Sequence, residues 1–213
     1  MVAIPIPPST MTKLALILVA AIAVAQPSAA QPFVKQDSVR SLPAPVLLDT
    51  AGMFIARYVK VGDDLFIAGQ PTEKALREMK AQGVTTVVNL RTPPEMDRVG
   101  FDEEKLVKEL GMKYVYLPSR SGMSDFAYSP QQLRKFTEAM RTADGKVLLH
   151  CTIAWRASHL WAAYLIERGV AIREVLTHAR AINLMDDHRM DAGVQPIEAF
   201  LGRKVPGLGQ PQP

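Results

Sequence analysis

The sequence predicts an α/β domain with a mostly parallel central sheet flanked by helices on both faces. Three observations carry this. Short apolar, β-branched runs alternate with stretches of helical periodicity along the chain. The runs are apolar without polar alternation, as in strands covered on both faces. The only cysteine, Cys151, directly follows such a run and precedes a helix, the place where parallel sheets hold ligands.

Length and composition are those of one globular domain with tails: 213 residues, 48% hydrophobic, 22% charged, net charge +4. A core of this size needs no disulfide, and one cysteine excludes an intrachain disulfide framework. The basic excess is scattered without a Lys/Arg run, which argues against nucleic acid as a partner. Lys13 precedes an apolar run over 14–24 and small residues at 28–30, the pattern of a cleavable export signal over 1–30. The run is short for a bilayer span, and no second one follows, so no membrane partner is expected after cleavage; an uncleaved anchor is the alternative. Met11 stands where such a signal would start. Removal of 1–30 takes away Lys13 alone among charged groups, leaving +3. The implied compartment is the bacterial periplasm or the exterior, where a free thiol is exposed to oxidation.

Residues 31–57, rich in Pro, Ser and Ala, read as a linker or extended arm. The domain proper is expected over 58–204. Residues 65–68 form a first strand turned by Gly69-Gln70-Pro71. Thr72 caps a helix that buries Leu76 and Met79 and stops at Gly83. Residues 84–90 (VTTVVNL) are a central strand, and Thr92-Pro93-Pro94 breaks the chain. A charged helix over 101–110 ends at Gly111, a strand follows over 112–117, and 118–129 is a polar loop. Ser129-Pro130-Gln131-Gln132 is a capping box opening a helix to about 142. The strand 147–150 and the helix from Ala157 to Gly169 come next, then amphipathic helices over 172–184 and 194–201, and a disordered tail over 205–213.

The stretch KVLLHC-TIAWR-ASHLWAAYLIE holds the chemistry. Six residues, Cys151, Thr152, Ile153, Ala154, Trp155 and Arg156, join strand to helix. Loop amides and a helix N-terminus converge on one point and favour negative charge there. That field favours a thiolate nucleophile at Cys151, and the planar fork of Arg156 suits two phosphate oxygens.

This stretch, with RYVKVGDDLFIAGQPTEKALREMKAQGVTTVVNLRTPPE and GMKYVYLPSRSGMSD before it, resembles the cysteine-dependent phosphatases of the tyrosine/dual-specificity type. It is most similar to the bacterial beta-lactamase-hydrolase-like phosphatase-like domains, over roughly residues 58–183. Members read GQP, VINLR and HC-x-x-G-x-R at these places. The resemblance implies a dual-specificity-phosphatase-like fold, a phosphocysteine intermediate at Cys151 and no cofactor or metal. It implies a general acid in the loop SRSGMSDF, whose only acid, Asp125, lies 26 residues before Cys151; a solvated turn residue is the equal alternative. It implies that His150 orients the loop, and that Ser158 either donates to Cys151 or caps the helix. Asn89 and Arg91 end the second strand; Arg91 reads as a structural ion-pair partner first and an anion recruiter second, a role open also to Arg120. Gln70 belongs near the rim.

Two departures leave other functions open. Four residues separate Cys151 from Arg156, a spacing shared with rhodanese-type sulfurtransferases, which carry a persulfide. Ala154 replaces the family's Gly, so a left-handed conformation there would cost about 1–2 kcal/mol, and Trp155 is bulky beside the anion site. A non-catalytic anion-binding module is therefore the other alternative. Asp186, Asp187 and His188 are adjacent in sequence, a weak basis for a metal site. The expected partner is a phosphorylated protein or small-molecule substrate, with the oligomeric state open.

Overall fold

Val84–Asn89 (VTTVVN) and Lys146–His150 (KVLLH) are buried along nearly their whole length, so each must pair on both edges and be covered on both faces. The structure, a computed structural model, describes residues 42–185 and 195–209 together with Met1. The chain divides into Met1–Lys35, outside the described residues apart from Met1, and Gln36–Pro213, whose fold follows.

Six strands, β1 (Val46–Leu47), β2 (Tyr58–Val61), β3 (Leu65–Ala68), β4 (Val84–Asn89), β5 (Lys113–Tyr116) and β6 (Lys146–His150), form one sheet in the order β1-β2-β3-β6-β4-β5. The pairs β1–β2 and β2–β3 are antiparallel, and β3, β6, β4 and β5 run parallel. The mostly parallel sheet with helices on both faces is therefore present. The two antiparallel edge strands are an addition. β2 and β3 are a hairpin closed at Val61↔Leu65, with Gly62 at φ +60° in the turn. The expected arm carries β1 in its described part, and it buries Phe54, which bridges Pro71.

Each strand's two faces serve different cores. Leu148 packs with Phe66, Val87, Leu76 and Met79, under α1 (Glu73–Ala81) and α3 (Glu103–Glu109). Val147 and Leu149 pack on the other side with Leu160, Phe136, Leu176 and Phe200, from α4 (Pro130–Thr142), α5 (Trp155–Glu167), α6 (Ile172–Ile182) and α7 (Gln195–Leu201). α5 is the helix buried all round, from Arg156 to Ile166, because α6 and α7 cover what the sheet does not.

Local signals explain the ends. Thr72 Oγ1 accepts from the Ala75 N–H at 3.2 Å to open α1. Ser129 and Gln132 form the expected capping box of α4. Thr92-Pro93-Pro94 does not break the chain, however: it opens a short helix, α2 (Pro93–Met96), with Pro at its first position and Thr92 and Glu95 as a reciprocal capping box. Of the expected disordered tail over 205–213, residues 210–213 lie outside the described residues, and the described part needs correction, since Val205 is 8% and Leu208 1% exposed. These two side chains close the core beside α7, and a Pro/Gly-rich composition hides such isolated apolar anchors.

Register then positions the site. Ala68 pairs with His150, His150 with Asn89, and Asn89 with Tyr116. Four parallel strands thus end on one line, and whatever follows each is brought to the same edge.

Candidate active site

Cys151 is the first residue past β6 and is 1% exposed, at the floor of a cleft of about 200 Å³. Glu95, Arg120, Thr152, Ile153, Trp155 and Arg156 line the rest of that cleft. Four of the expected loop residues therefore meet Cys151 there, and the fifth, Ala154, is buried behind them.

The loop turns because Ala154 takes the left-handed conformation, φ 68° and ψ −1°, and so ends the loop as the cap of α5. The conformation that a Gly would adopt freely is imposed here on an Ala, at a cost of about 1–2 kcal/mol. Neighbouring residues pin it. The Gln70 N–H donates to the Thr152 carbonyl at 3.0 Å, and Asn183 Nδ2 donates to the Ile153 carbonyl at 2.6 Å. Gly69 makes the first contact possible: a Cβ there would overlap the Ile55 carbonyl oxygen and come within 2.8 Å of the Thr152 oxygen. The first hydrogen bond into α5 runs from the Ser158 N–H to the Ala154 carbonyl, so the amides of Trp155, Arg156 and Ala157 are helix-start donors without intrahelical acceptors. With the helix dipole behind them, they favour an anion in front of Cys151.

Arg156 is 7% exposed and held from several sides. Its Nη1 donates to the Leu90 and Ser119 carbonyls at 3.2 and 2.9 Å, and its Nη2 to Thr152 Oγ1 at 3.0 Å. The same two nitrogens grip Glu95 bidentately, at 2.8 and 2.7 Å. Burial works against ionisation of Glu95, but hydrogen bonds from Arg156 and Thr92 outweigh it and hold its carboxyl down to about 2. Burial likewise opposes the charge of Arg156, but Cys151 and Glu95 keep the guanidinium firmly protonated. Arg120 approaches Glu95 at 3.9 Å from the rim.

Glu95 was not foreseen from the sequence. Its signal was the Thr-x-x-Glu spacing of a capping box, masked by the two prolines between.

A second carboxylate lies below the loop. Glu103, in the first turn of α3, is 1% exposed. Its Oε1 meets His150 Nε2 at 2.9 Å and accepts from Asn89 Nδ2 at 3.1 Å; its Oε2 accepts from Gln70 Nε2. Burial again opposes its ionisation, but His150, Gln70 and Arg91 hold its carboxyl below the ordinary value. Its signal in the sequence was its phase, three and four residues, or about one turn, before the buried Leu106 and Val107.

The remaining expected residues fall as follows. His150 is fully buried against Glu103, directly before the nucleophile. Arg91 is a brace: it donates through Nη1 to Gln70 Oε1 at 2.6 Å and through Nη2 to the Glu95 carbonyl at 2.8 Å, and it stands outside the cleft. Gln70, expected at the rim, is 5% exposed and internal. Ser158 neither caps α5 nor hydrogen-bonds Cys151; its hydroxyl donates to the Trp155 carbonyl, three residues back, at 2.7 Å, and the capping position belongs to Ala154. Asp125 is exposed on a 3₁₀ turn, Ser124–Phe126, its carboxylate accepting from Ser124 Oγ at 3.3 Å, and it does not line the cleft. Among the described residues no group of three or more His, Cys, Asp or Glu is placed to hold a metal, and no helix is long and apolar enough to cross a membrane. The signal segment 1–30 and Asp186, Asp187 and His188 lie outside the described residues.

The chain is similar to known proteins. The chain is 28% identical over 133 residues to a beta-lactamase hydrolase-like protein of Xylella fastidiosa (strain 9a5c), covering 60% of this chain and 30% of that protein. It is 30% identical over 105 residues to the protein of the same name from Agrobacterium fabrum (strain C58), covering 48% and 23%. It thus spans under a third of the length of these relatives. A crystal structure of P. aeruginosa TpbA in complex with pTyr superposes at a TM-score of 0.50 with 19% identity, covering 67% of this chain and 80% of the other, and shares the fold. The family model for the phosphatase-like domain of beta-lactamase hydrolase-like proteins matches residues 57–166, which run from the start of β2 to the end of α5 and include every residue of the cleft. The chain therefore belongs to that phosphatase-like domain family.

Proposed function

We propose that the chain hydrolyses phosphate monoesters through a covalent phosphocysteine at Cys151. The observation that carries this reading is the cleft itself: a lone buried cysteine at its floor, the helix-start amides in front of it, and the charged Arg156 beside it. The Cys151 sulfur attacks phosphorus and the ester P–O bond breaks. Asp125, on the same loop as Arg120 but outside the cleft lining in this structure, is the proposed acid and would have to enter the cleft to give its proton to the departing oxygen. Water then attacks the phosphocysteine, giving its proton to Asp125, and the S–P bond breaks to release inorganic phosphate and the thiolate. Arg156 and the loop amides bear the negative charge gathered on the equatorial oxygens. The substrate would be a phosphotyrosine or a related phosphorylated group, met outside the cytoplasm if residues 1–30 act as an export signal.

One observation favours a second reading, an anion-binding module without turnover: Asp125, the expected acid, is not at the cleft. One experiment separates the readings. Under reducing conditions, metal-independent hydrolysis of an aryl phosphate that vanishes in Cys151→Ser supports the phosphatase. Oxyanion binding without turnover supports the module. Thiosulfate-to-cyanide sulfur transfer without phosphate release would replace both with a sulfurtransferase.

A further inference from the structure

The GQP turn, the end of β4 and the His before the nucleophile meet in one place, and that place is a carboxylate. Glu103 stands on α3, outside the loop that holds the cleft together, and contacts neither Cys151 nor the cleft. Yet through its two oxygens it touches the residue just past β3 (Gln70), the last residue of β4 (Asn89) and the last residue of β6 (His150).

Two lines run from it into the reacting loop. The first passes through His150. Both side chains are fully buried, and Nδ1 of the ring is buried with no hydrogen-bond partner among the described residues. Glu103 is therefore the single polar anchor of the ring that precedes Cys151. The second passes through Gln70, whose side chain bridges Glu103 to Arg91 and whose N–H holds the Thr152 carbonyl. A buried ionised carboxylate is costly unless fully bonded, and here three donors converge on it from three strand ends.

We propose that Glu103 is a positioning residue for the nucleophile loop, setting the reactivity of Cys151 through His150 and the anion affinity of the loop through Gln70. The proposal rests on Cys151 being the reacting atom, and its test does not need turnover. The charged and titratable groups facing Glu103 are His150 from β6, Arg91 from beyond β4, and Tyr114 and Tyr116 from β5. With the carboxylate replaced by an amide, Gln70 Nε2 faces a donor instead of an acceptor, and both lines slacken together.

The experiment follows two properties of the full chain, wild type against Glu103→Gln. One is the rate of Cys151 alkylation by iodoacetamide across pH. The other is the affinity for orthovanadate, a tetrahedral oxyanion, read from thermal shift. The expected result is a folded variant whose alkylation is at least tenfold slower near neutrality, with its midpoint displaced to higher pH and orthovanadate bound at least tenfold more weakly. Glu103→Asp, which keeps the charge, should restore part of both, and it serves alone should the amide variant fail to fold. A variant merely less stable, with the wild-type alkylation profile and orthovanadate affinity, overturns the proposal. A wild type that hydrolyses nothing, with these shifts intact, overturns the phosphatase reading and leaves this one standing.

Discussion

Glu95→Gln tests the ion pair at the cleft. The change keeps the shape and removes the charge. Glu95 accepts from both Nη atoms of Arg156, from the Thr92 N–H and hydroxyl at 2.8 and 2.9 Å, and from Thr152 Oγ1 at 3.0 Å, with its side chain 14% exposed. Its carboxyl sits at about 2 against an ordinary 4.5. At about 1.4 kcal/mol for each tenfold in proton affinity, the difference corresponds to about 3 kcal/mol of folding stability. The value agrees with the cost of breaking a buried pair, about 3–5 kcal/mol. The sign follows from the depressed value: the contribution is complete above pH 4.5 and is lost as pH falls towards 2. Urea unfolding followed by circular dichroism should therefore find the variant weaker by about 3 kcal/mol at pH 7, a drop of roughly 6–12 °C in Tm for a chain of this size. At pH 3 the gap should shrink to under half. A gap that is equal at the two pH values, or below about 0.5 kcal/mol at pH 7, would refute the assignment of Glu95 as the ionised partner of Arg156.

Ala154→Gly relieves the left-handed strain of about 1–2 kcal/mol but adds roughly 0.5–1 kcal/mol of chain entropy to the unfolded state, so the net is a gain of about 0.5–1 kcal/mol. Differential scanning calorimetry should show Tm rising by roughly 1–4 °C. Asp125→Asn should lower kcat about 10²-fold on an alkyl phosphate, whose leaving oxygen needs a proton, and far less on a p-nitrophenyl ester. Equal losses on the two substrates would remove Asp125 from the role of acid.

What the sequence disclosed and what it hid divide along physical lines. The parallel strands were legible because 65–68, 84–90 and 147–150 are apolar without alternation. The cleft was legible because Cys151 and Arg156 bracket a turn between a strand and a helix. β2 was missed because YVKV is short and stands at the very start of the expected domain, directly after the Pro- and Ser-rich arm. Glu95 and Glu103 were missed for a deeper reason. Carboxylates are normally solvated, so composition and periodicity read each as surface, and only three-dimensional pairing with Arg156 or His150 makes burial tolerable. The interior position of Gln70 escaped for the same reason: an amide is informative only once its partners are placed.

The two carboxylates divide the electrostatics of the site between them. Glu95 lies at the cleft and shares Arg156 with whatever anion enters, so its negative charge opposes the oxyanion it sits beside. Glu103 lies below the strand ends, two hydrogen-bonded steps from the loop, and acts by holding positive and amide groups in register. Substituting the first should therefore free the fork of Arg156 for an oxyanion while weakening the fold. Substituting the second should weaken the oxyanion site itself. Orthovanadate affinity would move in opposite directions in Glu95→Gln and Glu103→Gln, although both variants lose stability. That opposition is what distinguishes a charge that competes with the ligand from one that arranges its donors.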